Sequence, residues 1–459
     1  MSSSIATSVV KGDLCIGCGL CAAICPRGNL AMTWNSFGEY NASEVKPCTT
    51  DCGLCQKVCP FGVSKENEST IGERLYGAIP GIHHCSETGY YLATYVGHSE
   101  KHRPTSASGG AVTCLLETLL SNDAVDHVIC VAPTSDPEKL FEFKVFSTLN
   151  EVRTGAGSAY YPVEMSAAIR EVLETPGRYA IVGLPCFIKA VRLAQKSSIK
   201  LRERIIVTIG LVCGQLKNKH FTDYIASLAG VREKVTGVHY RGKERDQPAN
   251  NYHFTFTTDG SEKHRIFWDE GISEAWTNRW FTPEACNYCD DVFAECADIT
   301  CMDAWLPEYS ADYRGTSLML VRSPLVQELI EQGHGINIKP ISIERVMQSQ
   351  AGVVAVKRHQ LAYRLYLNER QGHTAPVKRV APARPKNFFL RQEVALKERM
   401  RNISHDRWAT GLTDAEKFRD GMRPHLKRLA ARRRLSYAIT LPVKALRFVR
   451  RRYGGNDNV

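Results

Sequence analysis

No apolar run in the 459 residues is long enough to span a membrane, which takes about 20 residues. The N-terminus, MSSSIATSVVKGD, lacks the apolar core of a secretory signal. Both absences lead us to expect a cytoplasmic protein, where thiols stay reduced and available to metals. No Gly-x-Gly-x-x-Gly follows an apolar strand, which argues against a standard nicotinamide-dinucleotide site. Acidic residues are missing from 421–452, a stretch that holds eleven Lys and Arg. The net charge of +11 therefore belongs to an appendage; the rest of the chain is close to neutral, and nothing implies a nucleic-acid-binding body. Composition is otherwise ordinary, with 43% hydrophobic and 23% charged residues and length for two or three domains.

Cysteine is plentiful. Of seventeen, eight lie in two runs, Cys15-x2-Cys18-x2-Cys21-x3-Cys25-Pro26 and Cys48-x3-Cys52-x2-Cys55-x3-Cys59-Pro60. The first run has the bacterial ferredoxin spacing for 4Fe-4S clusters, in which the fourth cysteine of each run ligates the other cluster. We therefore expect Cys15, Cys18, Cys21 and Cys59 on one cluster and Cys48, Cys52, Cys55 and Cys25 on the second. The extra residue between Cys48 and Cys52 enlarges one loop without removing a ligand. Zinc sites take four thiolates in two pairs, which eight cysteines in two triplet-plus-proline runs overshoot. Residues 1–66 are too short and turn-rich for a core of their own, so their folding should depend on iron.

The chain then changes character. Residues 80–165 and 166–370 read as two parts of an α/β core with a parallel sheet. AVTCLLETLL reads as a helix and DHVICVAP as a strand; VEMSAAIREVLE reads as a further helix. Arg178–Gly183 and Ile205–Leu211 read as buried strands, each leading into a helix, the pattern of right-handed crossovers. Residues 250–268 read as a hairpin turning at Asp259-Gly260. A proline-containing linker is expected at 371–395 and a basic helical tail at 396–459, kinked at Pro442. The tail's apolar and basic residues suit an anionic membrane surface, which would place the protein peripherally at the inner membrane face. Only Tyr437, Phe448 and Tyr453 could stack on bases, so nucleic acid is disfavoured.

Cys186 and Cys213 each lie just past the carboxyl end of a strand, the edge where open α/β sheets bind ligands. Cys286-x2-Cys289 adds a pair, and the four would suffice for a third 4Fe-4S cluster. Small buried structural residues are the competing reading for Cys186 and Cys213. Cys85, Cys114, Cys130, Cys296 and Cys301 read as structural, with Cys296 and Cys301 close enough to the pair to stand as reserve ligands.

Five stretches in order resemble the family of coenzyme F420 hydrogenase/dehydrogenase beta subunits: Thr105-Ser106-Ala107-Ser108-Gly109-Gly110, Gly157-Ser158-Ala159-Tyr160, Val182-Gly183-Leu184-Pro185-Cys186, Gly210-Leu211-Val212-Cys213, and Cys286-x2-Cys289-Asp290 with Ala297-Asp298-Ile299. The resemblance spans roughly residues 80–310, with a dicluster ferredoxin module fused in front. It implies a core 4Fe-4S cluster on Cys186, Cys213, Cys286 and Cys289. It also implies FAD, and electron passage between iron–sulfur centres and a hydride-carrying deazaflavin. Similar bacterial proteins are associated with surface-polysaccharide synthesis. Cys301-Met302-Asp303 departs from the family pattern, where a glycine precedes the aspartate.

Cubanes move single electrons, whereas organic reductants move pairs, and flavin is the usual converter. Ser106, Ser108, Gly109 and Gly110 at a helix start suit a flavin phosphate, as do Gly155, Gly157 and Ser158; ordinary helix caps are the plainer reading of both loops. Lys189 and Arg192, one turn into the helix after Cys186, are candidate pocket residues, with a solvated helix face as the equal alternative. The sequence therefore leads to an iron–sulfur flavoprotein oxidoreductase working with a redox partner protein and a small-molecule reductant or substrate. An electron-transfer subunit that feeds a separate catalytic partner is the second reading, and a non-catalytic, cluster-stabilised interaction protein the third.

Overall fold

The computed structural model describes residues 4–49, 52–136, 138–259, 263–333, 335–372, 376 and 378–453. The two cysteine runs repeat one local design. Gly19 (φ 83°) leads into α1 (Leu20–Ala23) and Gly53 (φ 60°) into α2 (Leu54–Val58). Left-handed backbone at both positions suits glycine, and each short helix carries the third cysteine of its run. Between them, β1 (Leu30–Trp34) and β2 (Tyr40–Glu44) pair antiparallel. The module's apolar side does not close on itself. Leu20, Val58 and Ile71 share one core with Ile169 and Ile188 of the following domain.

Helix α3 (Glu68–Tyr76), capped by Asn67 and Thr70, leads out of the module, and β3 (His83–Cys85) pairs with β4 (Gly89–Tyr91). Next come β5 (Ala93–His98), α4 (Ala111–Ser121), β6 (His127–Pro133), β7 (Phe141–Phe146), α5 (Leu149–Thr154), α6 (Ser166–Glu174), β8 (Tyr179–Gly183), α7 (Pro185–Ser197), α8 (Ile199–Arg204), β9 (Ile205–Leu211) and α9 (Lys219–Leu228). Then β10 (Val235–Gly242), β11 (His253–Thr258) and β12 (Lys263–Phe267) form a three-stranded sheet. Finally β13 (Ile299–Asp303), β14 (Ser317–Val321) and β15 (Asn337–Pro340) join the main sheet, ordered β15-β5-β14-β13-β9-β8-β6-β7.

The expected parallel strands form the middle of a mixed sheet. Only β13, β9, β8 and β6 run parallel, while β7 on one side and β14, β5 and β15 on the other are antiparallel. The largely apolar strands β8 and β9 lie inside the sheet, and all of β8 and most of β9 is buried, Ile206 being exposed, as their composition requires. The hairpin at 250–268 forms as β11–β12; Gly260 of its expected turn lies outside the described residues.

Two further expectations change. Within 371–395, Lys378 pairs with Asp290 (3.4 Å), and Arg379 with Asp290 (3.1 Å) and Glu295 (2.6 Å). This part of the segment is a half-buried strap rather than a free linker; residues 373–375 and 377 lie outside the described ones. Downstream, helix Phe388–Ala409 buries Val394, Met400 and Trp408. Helix Ala415–Tyr453 adds Phe418, Met422 and Leu429 to the same aromatic core. The body therefore extends to Leu429, and most residues from 431 to 439 beyond it are exposed. The helix continues through Pro442, whose fixed φ is itself helical, so a long helix can absorb the one lost hydrogen bond. Side chains from 440 onward, Leu441, Leu446, Phe448 and Val449 among them, lie outside the described ones.

Candidate iron–sulfur and cofactor site

The structure sorts the N-terminal cysteines by depth. Cys18 and Cys21 are buried and Cys15 and Cys59 half-buried. Burial, and next the neighbouring thiols, push the Cys18, Cys21 and Cys59 thiols well up; for Cys21 the strongest thiol neighbour is Cys59. Cys25, Cys48, Cys52 and Cys55 line a separate opening with Pro26 and Leu54, and there Cys48 and Cys52 are exposed. Among the described residues no three His, Cys, Asp or Glu converge closely enough to hold one metal ion. Single zinc would need four thiolates about 2.3 Å from one point, whereas a cubane spreads its ligands over four irons. The donor set fits clusters.

The four core cysteines come from three places. Cys186 opens α7, Cys213 follows β9, and Cys286 and Cys289 belong to the loop before β13. Burial and the other three thiols push the Cys186 thiol well up, and burial pushes Cys213 to about 12. Leu216 N donates to Cys286 Sγ (3.3 Å). Lys357 is buried with Nζ 3.1 Å from Cys289 Sγ and 2.8 Å from the Asp291 carbonyl. Burial opposes its charge, but Cys289, Cys213 and Cys286 outweigh this and hold its pKa up.

Two more buried basic side chains stand nearby; burial, then Arg279, push the Lys217 pKa well down. Lys217 donates to Trp280 O (2.6 Å) and Thr282 Oγ1 (3.2 Å) and lies 5.0 Å from the ring centroids of Phe221 and Trp276. Arg279, at φ 63°, donates to Asn287 Oδ1 (3.1 Å). Among the described residues, none of the three basic groups has a carboxylate at ion-pair distance, and Lys357 is the one whose charge the neighbouring thiols favour. Buried charges need compensation, and an anionic thiolate-bound cubane at these four cysteines would supply it. Such a group would move single electrons. Lys357→Met should then lower the potential of a cluster bound here by on the order of 1 kcal/mol, or tens of millivolts, read by spectroscopic redox titration. An unchanged potential would detach Lys357 from the cluster.

Cys296 lies apart from these four. Its carbonyl accepts from Arg192 (2.9 Å) and from Tyr76 Oη (3.1 Å). Asp298 of the Ala297-Asp298-Ile299 stretch accepts from Thr208 N (2.7 Å) and Arg192 (2.8 Å), clamping β9 to β13. Cys301 packs into the core inside β13, and Asp303 at that strand's end holds Arg241 bidentately (2.8 and 3.1 Å).

The 105–110 loop meets this carboxyl end, whereas the 155–158 loop lies against β6 and reaches Arg241 through Tyr160 (3.4 Å). Ser108 Oγ donates to Thr316 O (2.8 Å) and Gly109 N to Ser317 Oγ (3.1 Å). A Cβ on Gly109 would meet Ser317 N at 2.7 Å and Gly97 O at 2.8 Å, so this glycine serves sheet contact. Gly110 (φ 80°) starts α4, and Ser106 Oγ lies 3.4 Å from Thr113 Oγ1. In the other loop Gly155 packs on Cys130, while Gly157 (φ 118°) has open space around it, next to half-buried Ser158. Tyr160 follows, edge-on to Tyr240 and Trp276. Lys243 Nζ donates to the carbonyls of Arg103, Ser108 and Arg314, and burial, then Arg241 and Arg103, press its pKa down to about 7. Lys189 corrects the expectation of a pocket residue. It is buried with Nζ 3.1 Å from Glu68 Oε1, tying α3 to α7.

The sequence reading missed Lys357, Lys217 and Arg241. Isolated cations carry no spacing signature, and only the topology brings them to the cysteines and loops.

Two ferredoxin-type cysteine sets joined to a mixed α/β domain with a third set define an iron–sulfur electron-transfer protein. The model for the C terminus of coenzyme F420 hydrogenase/dehydrogenase beta subunits matches residues 177–342, its N-terminal counterpart residues 94–170, and a 4Fe-4S dicluster domain residues 14–63. The chain belongs to the family of coenzyme F420 hydrogenase/dehydrogenase beta subunits. It is 23% identical over 300 residues to a subunit of the F(420)H(2) dehydrogenase of Methanosarcina mazei, covering 65% of this chain and 78% of that one. Over 40 residues, 9% of this chain and 52% of the other, it is 42% identical to an uncharacterized ferredoxin of Methanocaldococcus jannaschii. A chain of the F420-reducing NiFe hydrogenase complex of Methanosarcina barkeri aligns at a TM-score of 0.48 with 17% identity, over 62% of this chain and 96% of that chain.

Proposed function

We propose that the protein is an iron–sulfur flavoprotein oxidoreductase that links two ferredoxin-type clusters, a third cluster on Cys186, Cys213, Cys286 and Cys289, FAD, and an organic hydride carrier or substrate. The observation that carries this reading is Lys357, a buried ammonium set on the Cys289 sulfur beside three further cysteines. A cation there is balanced by a cluster and by little else. Arg241, Lys243 and Arg103, gathered beside the 105–110 loop with Arg241 also reaching Tyr160, favour a phosphate-bearing cofactor at the carboxyl end of β13. The flavin would exchange single electrons with the clusters and pairs with the organic partner. The names of the family and of its Methanosarcina mazei relative favour a reduced deazaflavin as that partner. Service to surface-polysaccharide assembly, at a membrane face reached by the basic helix, completes the proposal. Exposed Leu435, Tyr437 and Ile439 on that helix are consistent with such contact.

The exposure of Cys48 and Cys52 favours a second reading, an electron-transfer subunit serving a separate catalytic partner. FAD separates the two. Anaerobically purified protein should release FAD on heating, and a small-molecule acceptor should reoxidise the bound flavin. Absence of flavin after reconstitution would leave only the second reading.

A further inference from the structure

The two N-terminal cysteine sets differ in what surrounds them. The set with Cys18 and Cys21 faces inward, where Gly19 packs against Glu164, Met165 and Ser166. The set with Cys48 and Cys52 opens to solvent. Electrons passing between clusters and an outside protein would leave or enter most directly at the exposed set.

The charge around that set is not balanced. Residues 1–66 contain five basic residues, Lys11, Arg27, Lys46, Lys57 and Lys65, and five acidic ones. Three of the acids are engaged elsewhere: Asp13 faces Arg401 (3.6 Å), Glu39 is buried, and Glu66 pairs with Lys196 (3.0 Å) and Arg74 (3.5 Å), all three cations lying outside the module. Glu44 and, in sequence, Asp51 remain. All five cations are exposed, and among the described residues none is paired with a carboxylate. Arg27 lines the opening itself, Lys46 lies two residues before Cys48, and Lys57 two after Cys55. Val45 is 55% exposed on the same rim, held there by its N–H on Asn29 O (2.9 Å).

We infer that the rim formed by Arg27, Val45, Lys46 and Lys57 is the docking surface for a small acidic electron-carrier protein that exchanges electrons at the outer cysteine set. An apolar spot beside solvated cations of one sign suits a transient redox encounter, steered by charge and released quickly. The inference rests on the assignment of Cys25, Cys48, Cys52 and Cys55 to one cluster, and is independent of the flavin.

The test uses full-length anaerobic protein and, as probe, a reduced acidic bacterial dicluster ferredoxin. The second-order rate of cluster reduction is measured in the wild type and in the Arg27→Glu/Lys46→Glu/Lys57→Glu variant. At about 20 mM salt the variant should be at least tenfold slower, and the two should converge near 0.5 M, where charges are screened beyond a few ångström. Iron content and reduction by dithionite should be the same in both, which separates a docking defect from a cluster defect. Equal rates at low salt would overturn the inference, as would a wild type that reacts faster with a basic carrier than with the acidic one. Either result leaves the iron and flavin tests of the proposed function standing.

Discussion

Cys289→Ser is expected to lower the iron content of anaerobically prepared protein from about twelve to about eight atoms per chain, three cubanes becoming two. Cys289 lies in the most enclosed of the three cysteine sets, and its sulfur is the acceptor for Lys357. Serine offers no thiolate, so the site would lose both a ligand and the counter-charge of a buried ammonium. Removing one partner of a buried charged pair costs about 3–5 kcal/mol, so the variant should also melt earlier. The N-terminal clusters should be untouched, because their ligands come from separate loops. Cys55→Ser should do the reverse, sparing the core signal. Iron analysis with low-temperature spectra checks both variants. Loss of every cluster in each of them would show that the partition into three sets is wrong.

Arg379→Met should destabilise the protein by about 3 kcal/mol, measured by denaturant unfolding of anaerobic protein. Its guanidinium bridges Asp290 and Glu295, which are 0% and 2% exposed, and reaches Ser69 of α3 (3.1 Å). Lys378 and Arg358 remain as partners for the two carboxylates, which keeps the loss at the lower end for a buried network. The double variant Arg379→Met/Glu295→Gln should recover part of the loss, since a neutral amide requires less compensation than an orphaned carboxylate. A variant as stable as the wild type would return this stretch to the status of a linker.

The sequence made the cysteine runs, the central strands and their following helices legible, because each has a local signature: fixed spacing, or a short apolar run bounded by Gly or Pro. Strand β9 forms at Ile205–Leu211, the expected residues. The antiparallel edges were not legible, since β5, β14 and β15 pair across more than two hundred residues and carry no crossover helix between neighbours. The strap escapes notice for a related reason. Three prolines in 372–387 suggest a loop, and nothing local reveals that Lys378 and Arg379 meet buried acids at 290 and 295. Lys189 is misplaced by sequence because helical spacing gives the face of a helix but not what covers it; α3 brings Glu68 there. The helices after residue 388 look like a tail because their basic residues mask the apolar positions that fill the aromatic core.

The cysteine module borrows its apolar floor from chain made much later. Leu20 and Val58 rest in one core with Ile169, Ile188 and Leu361. Translation proceeds from the N-terminus at roughly 5–20 residues per second, so about 15–60 s separate the emergence of Cys59 from that of Leu361. Throughout that interval eight thiols stand outside the ribosome without their supporting surface. Iron delivery and protection from oxidation therefore belong to the period of synthesis, and growth under oxygen should reduce the yield of intact chain before it reduces the performance of chain already assembled.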